Sequence, residues 1–168
     1  VYLSRMFSQG VGLTKGVGSI IDLKGNDTYF TGAKYPDFRD PERSCRSLGQ
    51  GFGFGIRPDT VNVGASGGIG VLIDEWGNDT YHGDYFSQGS SYYFSFGMLY
   101  DKRGHDRYYS GRYSQGAGIH SSIGMLKDGA GDDVYHAYFG ISQGCGYDTG
   151  IGYLVDHDGN DLYTSNRI

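Results

Sequence analysis

Apolar and polar positions recur along this chain in one fixed order. A run of the form Φ-G-x-Φ-x-D, with Φ apolar, is preceded by S-Q-G-x-G and followed by x-x-G-x-D-x-Y. Ser114-Gln115-Gly116-Ala117-Gly118, Ile123-Gly124-Met125-Leu126-Lys127-Asp128 and Gly131-Asp132-Asp133-Val134-Tyr135 make up one complete copy. Runs such as Ile69-Gly70-Val71-Leu72-Ile73-Asp74 and residues 147–155 mix β-branched and aromatic residues with glycine. No segment keeps a helical period, so the pattern predicts strands and essentially no helix.

The copies keep register. The first aspartate of the motif falls at Asp22, Asp74, Asp101, Asp128 and Asp156, and the second at Asp27, Asp79, Asp106, Asp133 and Asp161. The tyrosine falls at Tyr29, Tyr81, Tyr108, Tyr135 and Tyr163, and the glutamine at Gln9, Gln50, Gln88, Gln115 and Gln143. Intervals of 27, 27 and 28 residues follow Asp74, and the 52-residue gap from Asp22 to Asp74 reads as one unit with insertions near 36–48 and 56–67. A fixed period of this size marks a stacked-repeat architecture. The expectation is a single repeat domain over residues 1–168, an all-β solenoid of about five 27–28-residue coils. It is cut inside a unit at both ends, with further units or other molecules stacked beyond.

In a parallel solenoid, equivalent residues stack about 4.8 Å apart, and each column becomes a ladder. Ile20, Leu72, Leu99, Leu126 and Leu154 are then an interior aliphatic ladder and the tyrosines an aromatic one, while the glutamines bond side chain to side chain. D-x-x-G-x-D reads as a sharp turn whose carboxylates accept backbone N–H groups, with a second bend near 13–16, 120–122 and 147–150. An alternative layout stands beside this one. Gly68-Ile69-Gly70, Gly77-Asn78-Asp79-Thr80-Tyr81 and Gly83 resemble MORN repeats, which implies stacked antiparallel hairpins with no place for the glutamine column.

Composition narrows the function. The 31 glycines lie in register with 26 aromatic residues and an aliphatic column, which separates this chain from disordered glycine-rich sequences. A net charge of −5 argues against a nucleic-acid surface, and no apolar run reaches the length of a membrane span. Two cysteines, Cys45 and Cys145, fall in distant units and are not expected to pair. Of the 19 acidic residues 17 are aspartates, ten of them in the two columns, so the acidity belongs to the architecture.

Like charges about 4.8 Å apart repel by roughly 1 kcal/mol per pair in water and several times that near a protein surface. Either turn N–H donors or a cation must offset this. Gly25-Asn26-Asp27-Thr28-Tyr29, Gly77-Asn78-Asp79-Thr80-Tyr81 and, most fully, Asp128-Gly129-Ala130-Gly131-Asp132-Asp133-Val134-Tyr135 resemble half of the RTX nonapeptide of secreted bacterial calcium-binding β-rolls. That resemblance implies Ca²⁺ between successive turns, with Asp27, Asp79, Asp106, Asp133 and Asp161 as side-chain ligands; Asp22, Asp74 and Asp128, the first aspartates of the same turns, are further candidates. Asp156, Asp158 and Asp161 form the densest oxygen cluster in the sequence, whereas Lys102, Arg103 and Arg107 crowd the turn at Asp106. Calcium ligation and a purely structural turn both remain open here.

No nucleophile, phosphate-loop or zinc-protease motif appears, and the expectation is a protein that is not an enzyme. A unique site, if present, belongs to the insertions. There Arg39, Arg43, Arg46 and Arg57 either bind a carboxylate or sulfate or pair with Asp37, Asp40, Glu42 and Asp59. Tyr85, Phe86, Tyr92, Tyr93, Tyr109, Tyr113 and Tyr138 either stack sugar rings or fill the core. The leading reading is an extracellular or cell-surface scaffold, structural or adhesive, with calcium stabilisation of its turns and end-to-end self-association into a filament as open extensions of it. The alternative is a polysaccharide-binding or polysaccharide-cleaving β-helix with one acidic cleft beside residues 36–67.

Overall fold

The computed structural model describes residues 1–58 and 62–166. Its strands, in chain order, begin with β1 (Tyr2–Ser4), β2 (Val17–Asp22), β3 (Thr28–Thr31), β4 (Gly53–Phe54) and β5 (Ile69–Asp74). Next come β6 (Thr80–His82), β7 (Ser91–Tyr92), β8 (Phe96–Asp101), β9 (Arg107–Ser110) and β10 (Gly118–Ile119). The last are β11 (Ile123–Asp128), β12 (Val134–Ala137), β13 (Gly146–Tyr147), β14 (Ile151–Val155) and β15 (Leu162–Ser165). No helix forms among the described residues, and none is long and apolar enough to cross a membrane.

All named strands pair in parallel, in three sheets ordered β1-β3-β6-β9-β12-β15, β4-β7-β10-β13 and β2-β5-β8-β11-β14. The chain is therefore a β-solenoid of about six turns, and the antiparallel-hairpin layout is excluded. Among the described residues, antiparallel bridges occur only inside the insertions, at Pro36–Cys45 and Ile56–Ala65. Equivalent residues face one another: Asp22, Asp74, Asp101 and Asp128 align in the third sheet, and Tyr29 pairs directly with Tyr81 across the interrupted unit. Each insertion thus leaves the axial stack unbroken.

Alternation explains the third sheet. Gly70, Leu72 and Asp74 point inward, while the β-branched Ile69, Val71 and Ile73 cover the outer face. Leu72, Leu99 and Leu126 are buried with Tyr29, Tyr81, Tyr108 and Tyr135 in one core, flanked by Tyr2, Ile20 and Leu154. The tyrosine rings lie nearly parallel with centroids 4.6–4.9 Å apart, one per coil.

Elsewhere the second and third sheets meet backbone to backbone, with no side chain between them. A β-carbon built on Gly97 would lie 1.9 Å from the carbonyl oxygen of Ser90, and one on Gly124 would lie 2.2 Å from that of Ala117. Only glycine allows this approach.

Each glutamine of the column adopts a left-handed backbone conformation, with φ between 50° and 59°. This supplies a third corner that the sequence does not announce. Contrary to the expectation of a glutamine ladder, the side chains do not bond to one another; each Nε2 donates to two backbone carbonyls of the first sheet on adjacent coils. Gln88 reaches Tyr81 (3.1 Å) and Tyr109 (2.8 Å), and Gln115 reaches Tyr108 (3.0 Å) and His136 (3.2 Å). Inward-turned side chains sit too close to these carbonyl groups to prefer each other. Gln115→Leu would strip a donor from two carbonyls and is expected to cost about 1–3 kcal/mol in urea unfolding, with m unchanged.

A second apolar cluster lies outside the coil, under the 36–48 insertion. Leu48, Phe52, Tyr85 and Phe86 are buried there, with Met6, Tyr92, Tyr113 and Phe139 packed against them. Tyr85 and Phe86 are therefore core residues and not sugar-stacking platforms, whereas Tyr138 is 47 % exposed.

Candidate metal centres and an insertion cleft

The D-x-x-G-x-D corner turns both aspartates into the coil. Asp74, Asp79, Asp101, Asp106, Asp128 and Asp133 are all buried. In the first column, Oδ1 of Asp22, Asp74, Asp101 and Asp128 accepts the N–H two residues on, as Asp101 does from Arg103 at 3.2 Å. Its Oδ2 accepts a hydroxyl from the tyrosine of the preceding coil: Tyr29 to Asp74 (2.7 Å), Tyr81 to Asp101 (2.7 Å), Tyr108 to Asp128 (2.5 Å) and Tyr135 to Asp156 (2.9 Å). In the second column, Oδ1 accepts the amide of its counterpart one coil earlier. Asp79 donates to Asp106 and Asp106 to Asp133, each at 2.6 Å.

One oxygen per unit is left over. Oδ2 of Asp79, Asp106 and Asp133 is buried and has no donor. These oxygens face other carboxylates, and three groups bring ligand atoms within 4.8 Å of one another: Asp74–Asp79–Asp101, Asp106–Asp128–Asp133 and Asp133–Asp156–Asp161. Burial, reinforced by neighbouring aspartates, raises Asp74, Asp79, Asp101, Asp106, Asp128 and Asp133 above the ordinary carboxyl range; Asp133 reaches about 7, and Asp101 and Asp106 rise further. A proton on Asp79 can be shared with Asp74, which lies within hydrogen-bonding reach.

The clusters of buried aspartates could hold a metal ion, but they differ in fit. Ca²⁺ takes six to eight hard oxygens. The interior groups offer three carboxylates with Oδ2 of Asp74, Asp101 and Asp128 already bound by tyrosine, which suits shared protons better than calcium. Asp133–Asp156–Asp161 is more open: Asp156 and Asp161 are only partly buried and Oδ1 of Asp156 lacks a donor, although its Oδ2 accepts the hydroxyls of Tyr135 and Tyr163, each at 2.9 Å.

The remaining sequence candidates separate. Asp158 is exposed and joins no group; its backbone carbonyl accepts Gly131 N–H. Asp22 and Asp27 join none among the described residues, and Asp27 instead accepts the Val1 amine at 2.8 Å. Tyrosine hydroxyls and turn amides hold the Asp22 carboxyl below its ordinary value despite an opposing burial effect. Conversely, Asp101 and Asp106 enter the groups although basic residues surround their turn. Those cations lie outside the coil: Arg103 stacks on Trp76 at 4.3 Å and Lys102 pairs with Glu75.

The arginines of the insertion pair internally. Arg39 contacts both oxygens of fully buried Asp37 (3.1 and 3.0 Å), Arg46 joins at 3.3 Å, and Arg43 bonds Asp40 at 3.0 Å. Arg57 lies 3.8 Å from Asp148, and Asp59 falls outside the described residues. Arg39, Arg46 and Arg57 also line a hollow of about 380 Å³ with Phe38, Phe54 and Tyr92.

Between the 36–48 insertion and the outer face of the first sheet lies a cleft of about 630 Å³, lined by Phe30, Cys45, His82, Asp84, Tyr138 and Phe139 among others. Asp84 accepts the Cys45 N–H at 2.5 Å, and burial pushes its carboxyl up to about 6. Its signal was present in the sequence: the fourth residue before each column glutamine is Arg5, Arg46, Asp84, Gly111 or Phe139, so the acid occurs once. Both cysteines are free. No family model, curated protein or solved structure matches the chain.

Proposed function

We propose that this chain is part of an elongated extracellular or cell-surface scaffold, structural or adhesive and without catalytic activity, whose coils continue end to end in further units or in other copies. The direction of the bonds between coils carries this reading. Along the stack, tyrosine hydroxyls and second-column amides donate toward the following coil, whose carboxylates accept. In these two columns the opposite faces of a coil therefore differ, one donating and the other accepting, a heterologous contact that propagates head to tail without closing. Calcium binding at Asp133, Asp156 and Asp161 would neutralise the least buried of the acidic groups.

Negative-stain microscopy and thermal melts of the 168-residue chain, in EGTA and then in excess Ca²⁺, test both parts. Rods longer than one chain's roughly 30 Å stack, and a melting midpoint raised by calcium, are expected. Single short particles at every protein concentration would sink the assembly reading. An unchanged midpoint would remove the metal.

A further inference from the structure

The regular columns explain the coil but not the cleft, which exists because one unit differs from the others. The 36–48 insertion rises beside the first sheet, and its return strand is pinned where Cys45 N–H meets Asp84. Asp84 is wedged against Gly111, where a β-carbon would lie 2.0 Å from its Oδ1, so the carboxyl is fixed at the cleft floor. On the walls, Phe30, Tyr138 and Phe139 present ring surface, and His82 and Asn166 add hydrogen-bonding groups.

Charge narrows the occupant. Arg43, the one cation among the lining residues, is engaged by Asp40 and lies 5.7 Å from the Phe139 ring. Partial desolvation against the sheet lowers the basicity of His82. Asp84 is a carboxylate or a carboxylic acid there, and Asp37 and Asp40 raise its pKa further. An anion would thus meet a carboxyl, while the one lining cation already shares its charge with Asp40. Ring faces that accept C–H surfaces, combined with a fixed carboxyl and an amide that bind hydroxyls, suit a neutral sugar. Only one carboxyl lines the cleft, and glycoside hydrolysis normally requires two flanking the bond, so the chemistry supports binding without cleavage.

We propose that the cleft between the 36–48 insertion and the first sheet binds one or two pyranose rings of a neutral glycan, with Tyr138 and Phe139 stacking on the ring and Asp84 accepting its hydroxyls. The site goes beyond the scaffold reading, since it needs only a single chain.

The cysteines supply a built-in probe, because Cys45 lines the cleft and Cys145 does not. Alkylation of both thiols by iodoacetamide at pH 8, followed by peptide mass spectrometry, would be measured with neutral disaccharides of gluco, galacto, manno and N-acetylhexosamine type, and with a glucuronate disaccharide. At least one neutral disaccharide should slow alkylation of Cys45 fivefold or more and leave Cys145 unchanged. Tyr138→Ala, at an exposed position, should abolish this protection without moving the melting midpoint, and Asp84→Asn should weaken it at least tenfold in concentration. Lack of Cys45 protection by every neutral sugar, protection that survives in Tyr138→Ala, or equal protection by the glucuronate would each overturn the proposal. Loss of rods in the microscope, with Cys45 still protected, would count against the scaffold alone.

Discussion

Gly97→Ala is expected to unfold the middle coils, at a cost upward of about 3 kcal/mol. The added methyl would sit 1.9 Å from the Ser90 oxygen, 2.7 Å from its carbonyl carbon and 2.9 Å from the Gly51 oxygen, all of them backbone atoms. No rotamer can relieve such a contact. Both facing segments are fixed by parallel ladders to coils above and below, so one sheet cannot withdraw without breaking hydrogen bonds on either side. Gly140→Ala is the matched control, because nothing lies within 4 Å of its β-carbon position, and it should change stability by less than about 0.5 kcal/mol. Urea midpoints for the two variants check the contrast.

The second large effect concerns pH. The buried aspartates have folded pKa values above the unfolded value, so the folded chain holds protons that the unfolded chain releases. Stability from this source is complete below about pH 4 and is lost as pH rises through the folded values, about 7 for Asp133 and higher for Asp101 and Asp106. Asp133 alone corresponds to a loss on the order of 4 kcal/mol. The melting midpoint should therefore be higher at pH 5 than at pH 9, opposite to the behaviour of salt-bridged carboxylates. Asp106→Asn sharpens the test. Its amide imitates the protonated acid, accepting Asp79 N–H through oxygen and donating through nitrogen. This variant should match the parent at pH 5 and exceed it at pH 9; a parent more stable at pH 9 without added metal would contradict the shared-proton account.

Much of the fold was legible because repetition turns weak local signals into strong ones. A single Leu126 says little, whereas leucine or isoleucine at the same place in Ile20, Leu72, Leu99, Leu126 and Leu154 predicts an interior ladder, and the structure has it. The tyrosine column was equally plain. The glutamine corner was not, because glutamine is seldom left-handed, and it holds that conformation here while donating to carbonyls two coils supply. Nor did the sequence show on which side of the wall the acids lie. A D-x-x-G-x-D turn is compatible with solvent, and only the tyrosine hydroxyls reaching Asp101 and Asp128 explain why the carboxyls face inward. Asp84 was overlooked for the converse reason: attention to columns passes over a residue defined by breaking one.

The unbroken pairing of Tyr29 with Tyr81 across the long unit also bears on how such a chain can change over generations. A loop added at a corner costs only the slowly growing entropy of closing it, roughly 0.6 kcal/mol per doubling of its length. Loss or gain of one whole period returns the same residues to the same neighbours. Recombination between copies can thus alter the length of the molecule, and splicing at corners can furnish it with new recognition loops, with the two kinds of variation inherited independently.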